Sequence, residues 1–91
     1  MSNYRKQVER ITRKQPLYLL ENIHRRKRGD HHLDHILSVS FGFHNKIAAE
    51  VIGNIANLRM IPYKDNLTKG AFMEQDSFDI FIYMIENGMI S

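Results

Sequence analysis

Ninety-one residues, 43% apolar and 25% charged, suit one globular domain with one small core. A chain this short buries only about 60–65% of its unfolded surface. The absence of cysteine excludes a disulfide framework and cysteine-ligated zinc. The formal net charge of +3 hides a segregation. Residues 1–28 hold nine Lys/Arg against Glu9 and Glu21, net +7, while residues 29–91 hold four against eight acidic residues, net −4. A basic front on an acidic back points to a polyanionic partner facing the N-terminal half.

Residues 1–10 are charged and polar, without the apolar core of a signal peptide. The apolar run from Phe78 is interrupted by Asp79 and Glu86, well short of the ~20 residues of a membrane span. A cytoplasmic protein without membrane contact is the expectation.

In chain order, Tyr4, Val8 and Ile11 recur at helical spacing and predict a short helix over residues 4–12. Pro16 suits the start of a second helix with Leu17, Leu20 and Ile23 on one face. The basic run Arg25, Arg26, Lys27, Arg28 then stops at Gly29. Residues 31–39 alternate in part and read as a strand, with Leu33, Leu37 and Val39 on one face and His32, Asp34, Ile36 and Ser38 on the other. Residues 41–45 carry turn residues and read as a loop. Ile47, Ala48, Val51, Ile52 and Ile55 match helical spacing inside this connection.

Residues 57–62 form the second candidate strand, closed by Pro62. Asp65 or Asn66 can cap a helix running to about Met73, weakened by Gly70. A last helix over residues 77–87 starts at Asp76 or Ser77 and stops at Gly88. The expected class is α+β, with a ββα unit in the middle of a small single domain.

The informative residues are His32-Leu33-Asp34-His35-Ile36, Asn57-Leu58 and Asn66-Leu67-Thr68-Lys69-Gly70. Singly, each has an ordinary reading: a surface Asp-His pair, an exposed histidine at His32, a turn residue at Asn57, a helix cap at Asn66, a solvated Lys69. Together they suggest one site. Asp34 and His35 face opposite ways on a regular strand, and the following strand and helix can bring Asn66 beside Asp34. A carboxylate and an amide oxygen suit a hard cation such as Mg²⁺. Mn²⁺ or another divalent ion can take its place. A histidine, which ordinarily titrates near about 6.5, can accept a proton from water.

Across residues 30–71 this pattern resembles the HNH, or ββα-metal, endonuclease superfamily. The shared features are an Asp-His-Ile strand, a Gly-containing loop, an Asn-Leu strand and a helix opening Asn-x-x-Lys-Gly. The resemblance implies that Asp34 and Asn66 bind the metal, that His35 is the general base, and that Asn57 orders the loop and fixes the histidine. This is an HNN version, similar to phage and homing enzymes. Ser38 stands where many members have proline, Phe41-Gly42-Phe43 where many have paired glycines, and the zinc-binding cysteines are missing.

The implied domain spans residues 1–91: a basic helical part (1–28), the ββα-metal motif (30–71) and a C-terminal helix (76–88). The implied activity is cleavage of double-stranded DNA with low intrinsic sequence specificity, in a bacterial host if the chain is phage-encoded. Arg25, Arg26, Lys27 and Arg28 would hold backbone phosphates. His32 would add a metal or phosphate contact, and Lys69 a phosphate contact. The last helix is apolar nearly all round, so a homodimer through it is one way to cover the surplus. The competing readings are a catalytically inactive DNA-binding or inhibitory module on the same scaffold, and a basic helical interaction protein with no metal.

Overall fold

The computed structural model describes residues 1–65 and 75–90. Helix α1 (Ser2–Arg13) forms where the Tyr4/Val8/Ile11 spacing predicts it and buries Val8 and Thr12. Two antiparallel strands follow, β1 (His31–His35) and β2 (Leu58–Pro62), in register from His31 opposite Pro62 to His35 opposite Leu58. Between them lie α2 (Val39–His44) and α3 (Ala49–Ile52). The backbone is helical again at 63–65, and α4 (Gln75–Glu86) closes the chain. The protein is a small α+β domain. Its Cα radius of gyration, 12.6 Å, fits the scaling of about 12 Å for one domain of this length.

The core gathers Val8, Leu37, Val39, Ile47, Ala49, Val51, Ile52 and Met84, flanked by Tyr4, Ile11, Phe41, Ile80 and Phe81. It lies among α1, the connection between the strands, and α4. Gly53 lets α1 approach α3, since a Cβ there would meet Ile11 Cγ2 at 2.9 Å and the Val8 carbonyl at 3.1 Å. Helix α4 ends in a left-handed turn at Gly88 (φ +71°), with Met89 N–H bonding the Met84 carbonyl and Gly88 N–H the Ile85 carbonyl. None of the described helices is long and apolar enough to cross a membrane.

Several local expectations are corrected. No α-helix follows Pro16; 3₁₀ turns at Leu17–Leu19 and Ile23–Arg25 stand there, separated by extended Leu20 and left-handed Asn22 (φ 66°). Leu17, Leu20 and Ile23 are only half-buried, and a short helix without a buried face is marginal in water. Strand β1 ends at His35 rather than Val39, because the backbone of Leu37 bonds the Asn57 side chain instead of a ladder partner. Residues 41–45 are not a loop: Ser38 Oγ accepts from Phe41 N–H at 3.0 Å and starts α2.

The helix expected over Ile47 to Ile55 is reduced to four residues and stopped at Gly53, with a 3₁₀ turn at Ile55–Asn57 after it. Asn57 therefore precedes β2 rather than opening it. Helical backbone already begins at 63, so Asp65 lies inside a turn and not at its N-cap. Asn66, Lys69 and the helix expected to run to Met73 lie outside the described residues. Helix α4 starts before Ser77, whose hydroxyl donates to the Ile36 carbonyl at 2.7 Å instead of capping.

Candidate functional site

The site is built at the exit of β1. Asn57, fully buried, is held across the connection by three side-chain hydrogen bonds. Its Oδ1 accepts from Leu37 N–H at 2.7 Å, and its Nδ2 donates to the Leu37 and Ile52 carbonyls at 3.0 and 2.7 Å. The Asn57 carbonyl also accepts from Ile36 N–H at 2.8 Å. One amide thus closes both ends of the segment that joins the strands, and fixes the direction in which His35 leaves the sheet.

Asp34 and His35 reach different partners. Asp34 is 6% exposed, and its Oδ2 accepts from Arg59 Nε at 2.9 Å, directly across the antiparallel pair. His35 turns to α1, where its Nε2 lies 3.0 Å from Thr12 Oγ1. Sequence reasoning missed both partners. Arg59 was visible as an opposite charge two residues after Asn57. Thr12 was visible as the next position on the Tyr4/Val8/Ile11 face.

The basic run borders the same strand. Arg26 makes a parallel bridge to His31, which lays Arg26, Lys27 and Arg28 beside β1. A cleft of about 380 Å³ is lined by Arg26, Lys27, Arg28, His31, His32 and Leu33. A second, of about 310 Å³, is lined by Glu9, Thr12, Arg13, Arg26, Leu33 and His35. Arg26 and Leu33 belong to both, so the two clefts adjoin along β1. All four residues Arg25 to Arg28 are exposed. His32 sits in the first cleft with its ring 6.2 Å from that of Tyr63.

At the rim, Asp30 Oδ1 lies 2.7 Å from His31 Nδ1 and 3.4 Å from the Arg25 guanidinium. The His31 hydrogen bond holds the Asp30 carboxyl below the usual carboxylate range; burial opposes it, and the charges of Arg25, His31 and Lys27 add to the lowering.

A hard divalent cation takes oxygen ligands, and metal-binding carboxylates are commonly hydrogen-bonded from behind. Asp34, steadied by Arg59, fits that donor type, and Asn66 would add an amide oxygen. The guanidinium beside Asp34 nevertheless opposes a second positive charge there. Among the described residues no group of three or more His, Cys, Asp or Glu converges to hold a metal ion. Comparison with family models, curated proteins and solved structures finds no match to this chain.

Proposed function

We propose that the chain is a metal-dependent endonuclease of the HNH type that hydrolyses phosphodiester bonds of double-stranded DNA. The observation that carries this reading is the Asn57 clamp. It closes a long connection between two antiparallel strands and holds His35, next to buried Asp34, at a cleft bordered by Arg13 and Arg26.

In this reading the exposed run Arg25 to Arg28 holds backbone phosphates along β1 and positions the duplex without reading its bases. His32 and Lys69 would add phosphate contacts. His35 takes a proton from a water, whose oxygen bonds to phosphorus while the bond to the 3′ oxygen in line with it breaks. Arg59 keeps the Asp34 carboxylate oriented. Asp34 and Asn66 would hold the divalent ion, Mg²⁺ first. When bound, that ion supplies positive charge against the charge building on the phosphate and the departing oxygen. In this reading the place of action is the cytoplasm. The stripe Phe78, Ile82, Ile85 on α4, about half exposed, would support a homodimer.

The Asp34–Arg59 pair favours one second reading, an inactive DNA-binding or inhibitory module, because the arginine already compensates the carboxylate. One assay separates them: supercoiled plasmid with Mg²⁺ or Mn²⁺, with chelator, and with His35→Ala. The nuclease reading expects metal-dependent cleavage that falls roughly 10²–10⁴-fold in the variant. Binding without cleavage under every metal gives the second reading.

A further inference from the structure

We propose that the exposed pair Tyr18–Leu19 is a second nucleic-acid contact: the tyrosine ring stacks on a base where a DNA duplex is opened, so the chain favours duplexes with an unpaired base over fully paired ones. The choice of DNA as partner rests on the nuclease reading; cleavage itself is not needed for the contact.

Leu17-Tyr18-Leu19-Leu20 is an apolar run of four. In a 3₁₀ turn the side chains of residues i and i+3 lie one above the other. Leu17 and Leu20, so spaced and joined by a bond of 3.0 Å from Leu20 N–H to the Leu17 carbonyl, are half-buried. The two between them are left outside. Tyr18 is 78% and Leu19 65% exposed, more than any other large apolar side chain among the described residues.

A single exposed leucine or tyrosine is ordinary. This pair is held out by a framed turn. Gln15, just before it, accepts from Ile55 N–H at 3.0 Å through Oε1 and donates to the Ile11 carbonyl at 3.2 Å through Nε2. Leu19 N–H bonds the Pro16 carbonyl at 3.0 Å, and Arg26 N–H bonds the Ile23 carbonyl at 3.0 Å. The turn Leu17–Leu19 packs on the turn Ile23–Arg25, and Arg26 then pairs with His31 at the start of β1. A ring carried on so fixed a base loses little conformational freedom when it meets a ligand.

The surroundings select the ligand. Residues 13–28 hold Arg13, Lys14, Arg25, Arg26, Lys27 and Arg28 against a single acidic residue, Glu21. Arg13 and Arg26, on either side of the turn in sequence, both line the cleft that holds His35. Cationic side chains beside an aromatic ring bind strands with accessible base faces, the charges taking phosphates and the ring taking the base. An apolar neighbour such as Leu19 wedges against the opened step. Two side chains are too few for a stable dimer, which needs about 800 Å² from each partner. They also form no amphipathic helix of the kind that lies in a lipid surface.

The test measures affinity by fluorescence anisotropy in chelator for the full chain, Tyr18→Ala, Tyr18→Phe and Leu19→Ala. The probes are a fully paired duplex and the same duplex with one bulged fluorescent purine; cleavage of both with Mg²⁺ or Mn²⁺ follows. Wild type should bind the bulged duplex about tenfold more tightly and quench the purine. Tyr18→Ala should lose both effects, Leu19→Ala should lose part of the preference, and Tyr18→Phe should keep both. Equal affinity of wild type for the two duplexes overturns the proposal, as does a Tyr18→Ala protein that keeps the preference. So does a Tyr18→Ala protein that loses binding to phosphatidylserine vesicles while its DNA binding is unchanged. If the preference and its loss are seen but wild type cuts neither duplex with any divalent ion, the Tyr18 contact stands and the nuclease reading falls. If wild type cuts both duplexes but binds them alike, the nuclease reading stands and the Tyr18 contact falls.

Discussion

Asn57 satisfies three backbone groups of the connection with one buried side chain. Asn57→Ala strands the Leu37 N–H and the Leu37 and Ile52 carbonyls away from water. At about 1–3 kcal/mol for each unsatisfied group, a loss of about 3 kcal/mol or more is expected in urea unfolding. A change under about 1 kcal/mol would show that this amide does not hold the connection. Asp30 gives a pH signature. Its carboxyl is held below the usual range in the folded protein, first by the His31 hydrogen bond and then by nearby positive charge. The stability it adds is complete above the unfolded carboxylate value and is lost as pH falls through the lower folded value. The urea midpoint of wild type should therefore fall on acidification, and that of Asp30→Asn should fall less. Equal acid limbs would remove Asp30 from the account. Asp34, His35 and Asn57 were legible as residue types at a telling spacing. Arg59 and Thr12 were visible as residue types, but their pairing with Asp34 and His35 was not. Strand register is what sets Arg59 opposite Asp34, and it depends on turn geometry that the residues of the connection do not announce.

The connection between β1 and β2 shows why elements are harder to read than residues. Phe41-Gly42-Phe43 has the look of a loop because glycine is a poor helix former. It is helical because Ser38 caps it and because Gly42 admits two neighbours. A methyl group at 42 would run into the Tyr4 hydroxyl and the Ile52 side chain. Two effects of Gly42→Ala then oppose each other. Helix propensity gains about 1 kcal/mol, while overpacking costs about 1–3 kcal/mol. Ile52 is fully buried and Tyr4 is bonded to the Ile47 carbonyl, so neither gives way cheaply. A lower melting temperature is expected for Gly42→Ala; a higher one would mean that the packing yields. The end of α4 was readable, since a glycine after a helical stripe commonly takes the left-handed turn found at Gly88. Its beginning was not. Ser77 looks like a cap, and its hydroxyl is used for tertiary structure.

At the scale of the molecule, the α+β class and the two strands were legible from periodicity, and the charge segregation from simple counting; the antiparallel pairing came from the structure. What counting could not give is where the positive charge lies. The Arg26–His31 bridge sets it along β1, beside the cleft that His35 shares. Under the proposed nuclease reading, duplex binding should therefore weaken steeply with salt. Replacing Arg25, Arg26, Lys27 and Arg28 by alanine should flatten the plot of log affinity against log salt by about 0.9 for each DNA phosphate no longer neutralised. An unchanged slope in fluorescence anisotropy would put the nucleic acid elsewhere.

The strand end that bears the imidazole continues into residues 36 and 37, which bond to Asn57 before β2 and to Ser77 in α4. Regions that open separately in other proteins are those with few such ties. In this chain His35 cannot be loosened by partial melting without unfastening the last helix and the connection as well. Softening the centre therefore costs the integrity of the whole domain, and loss of the site and global unfolding become the same event.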